Sequence, residues 1–237
     1  MNSGSPLEQM ALLKLMQLCS ASLPIGAYAF SQGLEFAIES DQVKGESGLV
    51  SWLQQLLYES LVHTDMPILV RQLDAFAKGD NEAAVYWNSY ALACRETKEL
   101  YTTDTATGEA LVRLLDKLGL LARADHRREK QAGENHKADT SFITAFAYAA
   151  VHWQIDQQSA LLGFCWAWLE NQVAAASKLV PLGQSQAQAV IAELQPDIPV
   201  AVARALEVQD EQIGSGLPGV VMASCRHETQ YTRLFRS

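Results

Sequence analysis

The residue types able to do covalent or metal chemistry are present but scattered. Five histidines (His63, His126, His136, His152, His227) and four cysteines (Cys19, Cys94, Cys165, Cys225) lie far apart in a 237-residue chain, with no C-x-x-C and no H-E-x-x-H. A closed metal site needs three or four converging ligands, and no local spacing supplies them. His126 and His136 share a polar loop, where side chains are ordinarily solvated. No G-x-x-x-x-G-K-[ST] is there to cradle a triphosphate. No G-x-S-x-G marks a nucleophile on a strand-to-helix turn. Gly214-Ser215-Gly216-Leu217-Pro218-Gly219 matches G-x-G-x-x-G literally, but no strand is expected before it and Pro218 has no N–H for a pyrophosphate. It reads as a hinge. The Asp and Glu pairs have spacings suited to solvated helix faces. The expectation is a protein that is not an enzyme, with no catalytic, cofactor-binding or metal-ligating residues of its own.

Three constellations nevertheless stand out. The first is Ser22-Leu23-Pro24-Ile25-Gly26-Ala27-Tyr28-Ala29-Phe30-Ser31-Gln32-Gly33-Leu34-Glu35. A Pro/Gly turn feeds an aromatic pair and then a polar helix start, and Gly26 and Gly33 permit positive φ or close backbone approach. On residue types it reads as a loop packing two helices, with Tyr28 and Phe30 as core anchors; the competing reading is a partner-facing surface. The second is Ala174–Gln184. Lys178 is the only Lys or Arg between Ala138 and Ala203, placed where Pro181 must end an apolar helix. It reads either as a charge complementing the helix dipole, worth about 0.3–1 kcal/mol, or as a cation offered to an acidic partner. The third is Arg226–Ser237, where Tyr231, Leu234 and Phe235 alternate with Arg226, Arg233 and Arg236. Aromatic and arginine side chains dominate interface hot spots, so this reads as a segment that orders on a partner; the alternative is a tail docked on its own domain.

The elements that must carry these residues are helical throughout. Ser5-Pro6-Leu7-Glu8 spells a capping box with proline in the first turn, and Leu7, Met10, Leu12, Leu13 and Met16 then line a face as far as Cys19. A short helix is expected over 31–40 and a longer one over 47–63. A new start is expected at Thr64-Asp65-Met66-Pro67, a stop at Gly79, and helices over 80–98 and 105–118. Asp139 or Thr140 caps a helix to His152, and Asp156 caps an apolar, central, buried one to Ser177. Two shorter helices cover 185–193 and 198–207. The expected fold is all-α: one domain of roughly ten helices around a central buried helix, residues 1–213, followed by a flexible hinge and C-terminal tail, 214–237. A net charge of −9 argues against a global grip on nucleic acid or an anionic membrane. No apolar run reaches the length of a membrane span, no signal peptide is read, and dispersed cysteines fit reduced thiols in the cytoplasm.

In order and spacing, these constellations resemble the UreF family of urease accessory proteins. The residues carrying the resemblance are Ser22–Glu35, Trp52, the Thr64-Asp65 helix start, Arg95-Glu96-Thr97-Lys98-Glu99-Leu100, Lys178-Leu179-Val180-Pro181-Leu182-Gly183-Gln184 and His227–Ser237. The Thr-rich stretch Tyr101–Gly108 and the Gln186-Ala187 pair depart from the family pattern. The resemblance implies an all-helical, homodimeric, cytoplasmic chaperone. It implies binding to the accessory protein UreD (also called UreH), recruitment of the GTPase UreG with modulation of its GTP hydrolysis, and maturation of apo-urease by nickel insertion. This chain alone would hold no cofactor, nickel and GTP being handled by the complex. The C-terminal tail would order when UreD binds and help build the surface on which UreG docks. Partner-binding residues would be Lys178, His227, Tyr231, Arg233, Leu234, Phe235, Arg236 and Ser237. Pro24, Gly26, Tyr28, Ser31, Gln32, Gly33, Glu35, Pro181, Gly183 and Gln184 would be structural or interface positions. Alternatives left open are a generic helical adaptor unrelated to urease, and an all-α ligand-binding protein with an apolar pocket near Phe164, Trp166 and Trp168.

Overall fold

A computed structural model describes residues 5–121, 139–180 and 182–236. The loop holding His126 and His136, Pro181 and Ser237 lie outside the described residues. Among the described residues every regular element is helical, with eleven α-helices and no strand.

The first helix begins as the sequence predicts. The Ser5 hydroxyl accepts from the Glu8 N–H, the Glu8 carboxylate accepts from the Ser5 N–H, and Pro6 takes the first helical position. This gives α1 (Pro6–Leu18). Its packing corrects the simplest expectation for an apolar stripe. Ala11, Leu15 and Leu18 face the body, whereas Leu7, Met10, Leu12, Leu13 and Met16 are exposed.

α2 (Leu34–Glu39) starts from Gly33, and α3 (Gly45–Gln55) runs without a break into a π-helical stretch, Leu56–Asp65, and on into α4 (Met66–Lys78). Within it the Met66 N–H reaches back five residues to the Leu61 carbonyl. The new start expected at 64–67 is therefore corrected. Asp65 keeps helical backbone angles and caps nothing, because its carboxylate is bound to Arg95. Pro67 removes one N–H from this continuous helix, and the His63 carbonyl four residues back accepts instead from the Gly214 N–H (3.0 Å).

Gly79, at φ +69°, ends α4, and the Asp80 side chain caps α5 (Asn81–Ala93). The break expected at 99–104 lies instead at 94–97, because the Thr97 hydroxyl accepts from the Leu100 N–H and opens α6 (Lys98–Lys117). Ser141, not Asp139 or Thr140, caps α7 (Phe142–His152). Asp156 caps α8 (Gln157–Leu179), and α9 (Gln184–Leu194) and α10 (Asp197–Glu207) follow.

Helix α8 is the axis of the fold, touching α1, α2, α3, α4, α9 and α10. Its Phe164 meets Phe146 edge-to-face with ring centroids 5.4 Å apart, and Phe142 stacks beside it. Each fully buried side chain of this kind contributes about 1.5–3 kcal/mol. On the α1 side, a Cβ on Gly163 would lie 2.6 Å from Leu15 Cδ1, so a larger residue there would push the Leu15 and Cys19 side chains aside.

The segment 214–237, expected to lack regular structure, contains α11 (Pro218–Glu228). Pro218 at its first position is a start signal, but Gly219 and a weak apolar period hide the helix in the sequence. Before it, the hinge residues lie along the π-helical stretch. The Gly214 N–H donates to the His63 carbonyl (3.0 Å), the Ser215 hydroxyl to the Glu59 carbonyl (3.2 Å), and the Thr64 hydroxyl to the Ser215 carbonyl (2.9 Å).

Candidate partner-binding site

The N-terminal motif and the C-terminal segment meet. Gly33 adopts φ +84°, and a Cβ there would stand 3.2 Å from the Ser224 N and 3.3 Å from the Val220 carbonyl. Glycine thus lets α11 lie directly on the start of α2. Across the other side of α11, the Ser224 and Thr97 hydroxyls are 2.7 Å apart, tying it to the cap of α6.

His227, on the last turn of α11, is fully buried between two helix starts. Its Nε2 is 2.9 Å from Glu35 Oε2 on α2, and its Nδ1 is 2.9 Å from Glu99 Oε2 on α6. The ring thus bridges the starts of α2 and α6 through one carboxylate oxygen on each side. Arg233 donates from Nη1 to Glu99 Oε1 (3.1 Å), bringing a guanidinium to the second carboxylate. Glu35 also accepts from the backbone N–H groups of Leu234 (2.7 Å) and Phe235 (2.9 Å). The Arg236 N–H then donates to the Ala29 carbonyl (2.8 Å). One buried carboxylate from the N-terminal motif therefore holds the C-terminal strap by its backbone.

This places the expected residues on two sides. Phe235 is buried, and Lys178, at the end of α8, sets its ammonium 5.4 Å from that ring. Tyr231 is fully exposed, Leu234 is 62% exposed and Arg236 points its side chain to the surface. Arg233 is spent on Glu99. Of the N-terminal motif, Phe30, Ser31, Gly33 and Glu35 are buried, Gly33 against α11 and Glu35 under the strap. Gln32 accepts from the Gln172 amide (2.8 Å), and the Asn171 amide donates to the Ala27 carbonyl (3.2 Å), so α8 holds the same loop from below. Gly26 takes φ +74° at the turn, Tyr28 lies on a 3₁₀ turn, Ala27–Ala29, and Pro24 is exposed. Gly183 and Gln184 are exposed at the start of α9, where the Gln186 side chain accepts from the Gly183 N–H; a residue departing from the family pattern serves as the cap.

Glu99 was not read as a site residue, and its contact with His227 spans 128 positions. A carboxylate beside the Thr97 cap is ordinary for a helix start, so only the fold reveals its partner. The same holds for Arg95, clamped between Asp65 (2.7 Å) and Asp104 (2.9 Å). Burial alone would push its guanidinium pKa down, yet Asp104 and Asp65 hold it above the ordinary value. These groups line a cleft of about 630 Å³ together with Phe164 and Trp168, whereas Trp166 stands outside its wall. Arg95, Asp65 and Asp104 are committed to one another there. Cys19 borders the same cleft with its thiol pushed up to about 12, by burial first and by Glu170 second, which makes it a poor nucleophile.

The family model described as UreF matches residues 43–195. This chain belongs to the UreF family. Relatives extend the match to nearly the whole chain, taking in the N-terminal motif and much of the C-terminal segment. The urease accessory protein UreF of Marinomonas sp. (strain MWYL1) is 47% identical over 229 residues, covering 95% of this chain and 94% of its own. That of Pseudoalteromonas translucida (strain TAC 125) is 45% identical over 97% of this chain and 96% of its own. That of Hahella chejuensis (strain KCTC 2396) is 43% identical over 96% and 99%.

Proposed function

We propose that this chain is a non-enzymatic urease accessory factor that works by presenting surfaces. In this reading it is a cytoplasmic homodimer that binds a UreD/UreH-type accessory protein, recruits a UreG-type GTPase, and supports delivery of nickel to apo-urease. Nickel is cargo, and the nucleotide is held by the GTPase. The observation that carries the reading is the two-sided C-terminal strap. Its backbone and Phe235 are anchored on Glu35 and Lys178, and this anchoring leaves Tyr231, Leu234 and the Arg236 side chain outward as a preformed apolar and cationic patch. Aromatic and arginine groups held rigidly in this way are what interface hot spots are made of.

Lys178 acts here as a seat for the strap beside its role at the helix end. Modulation of the GTPase follows from differential affinity: a chain that binds one nucleotide state more tightly shifts the partner's equilibrium by that difference and no more. No helix among the described residues is long and apolar enough to cross a membrane. The test is affinity capture of the UreD-type and UreG-type proteins by the full chain and by Tyr231→Ala with Leu234→Asp. Capture should fall at least about tenfold with an unchanged helical circular dichroism spectrum. Undiminished capture of both partners would remove the strap from the interface.

A further inference from the structure

The cleft beside Arg95 holds charge that its own contacts do not meet. At about 630 Å³ it has the size of a pocket for a drug-sized guest, and so has room for more than one side chain. Buried apolar residues floor it, with Leu23, Leu61 and Phe164 each at most 9% exposed, and Tyr90 and Trp168 add aromatic surface. Four carboxylates line it, those of Asp65, Glu96, Asp104 and Glu170, but among the described residues only one cation does, Arg95. That cation is spent on Asp65 (2.7 Å) and Asp104 (2.9 Å). Asp104 also accepts from the Phe142 N–H (2.8 Å). Among the described residues, the carboxylates of Glu96 and Glu170 have no hydrogen-bond or ion-pair partner.

These two acids stand at the rim. Glu96, in the link between α5 and α6, is exposed, and Glu170, on α8, is half-buried. Glu96 rests on the hinge: a Cβ on Gly216 would lie 2.7 Å from its Oε2. Their charge reaches the cleft wall. Burial raises the Cys19 thiol first, and Glu170 raises it further. At Cys94 burial again raises the thiol, Arg95 opposes, and Asp65 and Glu96 add to the rise.

An apolar floor under an unpaired anionic rim describes the guest. An anionic ligand would be repelled. A bare small cation would gain little from exposed carboxylates and leave the floor unfilled. We propose that the cleft receives a segment of a protein partner in which a large apolar residue is flanked by arginine or lysine. The apolar side chain fills the floor and the flanking cations meet Glu96 and Glu170, with Tyr90 and Trp168 offering ring faces. The net charge of −9 draws a basic surface toward this chain. This rests on the proposed function for partners that are proteins. It adds a second contact to the strap, since Tyr231, Leu234 and Arg236 do not line the cleft.

The test is titration of the full chain with the peptide acetyl-Arg-Phe-Leu-Arg-amide, followed at the Trp168 indole N–H by nuclear magnetic resonance. Peptides with both arginines replaced by glutamine or by glutamate serve for comparison. The arginine peptide should bind at least about fivefold more tightly than the glutamine peptide, the worth of two partly exposed ion pairs, and the glutamate peptide should bind weakest. Glu96→Gln with Glu170→Gln should erase that preference with an unchanged circular dichroism spectrum. Glu82→Gln with Glu207→Gln removes two exposed charges elsewhere and should keep most of it. Gly216→Ala keeps every charge but pushes the Glu96 carboxylate aside, and should cost part of the preference. Equal binding of the three peptides overturns the proposal. So does a preference indifferent to Glu96→Gln with Glu170→Gln, or a Trp168 signal that answers to nickel chloride and to none of the peptides. A wild-type chain that prefers the arginine peptide but captures neither a UreD-type nor a UreG-type protein would fault the proposed function and not the cleft.

Discussion

With both ring nitrogens of His227 committed to carboxylates, removing the ring strands two buried acids. Arg233 still balances Glu99, but Glu35 is left with backbone donors alone. His227→Ala should therefore cost about 1–3 kcal/mol, the usual penalty for leaving buried hydrogen-bonding groups without their partner, read from urea denaturation. Amide exchange over 229–236 should quicken in the same variant, because Glu35 can no longer hold its place under the strap. A loss below about 1 kcal/mol would mean that the node is not electrostatically coupled. Gly33→Ala should also destabilise, by roughly 1–2 kcal/mol, from strain at φ +84° and from crowding against the α11 backbone. Gly26→Ala, with similar φ but open space around it, should cost less. Among the cysteines, Cys225 is exposed while Cys19 and Cys165 are buried with raised thiol pKa values, burial being the main cause for both. A thiol reagent near neutral pH should modify Cys225 in the folded protein and reach Cys19 and Cys165 only on unfolding. Rapid labelling of Cys165 in native protein would contradict the described core.

The helices were legible wherever a local signal was strong. Ser5–Glu8, Asp80 and Asp156 each cap as their side chains dictate, and Gly79 stops α4. The misplaced starts of α6 and α7 were set by local caps, Thr97 and Ser141, whereas other misses were decided by residues distant in sequence. Asp65 looks like a cap but is claimed by Arg95, thirty positions away, and the α5–α6 break falls where Arg95 must reach both Asp65 and Asp104. α11 has little amphipathic period of its own because two of its neighbours, α2 and α6, hold it through hydroxyls, a histidine and a glycine contact. The strap residues stood out by type, but not the division of Phe235 inward from Tyr231 and Leu234 outward, which depends on Glu35 gripping the strap backbone. The crossing of α6 with the start of α7 gives a sharp check on this packing. A Cβ on Gly108 would lie 2.1 Å from the Thr140 carbonyl. Gly108→Ala should destabilise by about 3 kcal/mol or more, and a neutral result in thermal unfolding would contradict the crossing.

The architecture as a whole couples its two ends. The N-terminal motif supplies the glycine and the carboxylate, α8 supplies a lysine and an amide floor, α6 supplies the second carboxylate, and the C-terminal strap is laid across them. Such an arrangement displays a fixed surface at low ordering cost, which suits a chain whose work is to hold other proteins in register. On this account the outward side chains of the strap matter to urease maturation and hardly at all to the fold. The most direct check is the nickel content of urease co-expressed with the full set of accessory proteins, comparing the wild-type chain, Tyr231→Ala with Leu234→Asp, and omission of the chain. The account predicts nickel in the double variant falling close to the level seen with the chain omitted, while the variant stays soluble and helical. Nickel content equal to wild type in the double variant would contradict it.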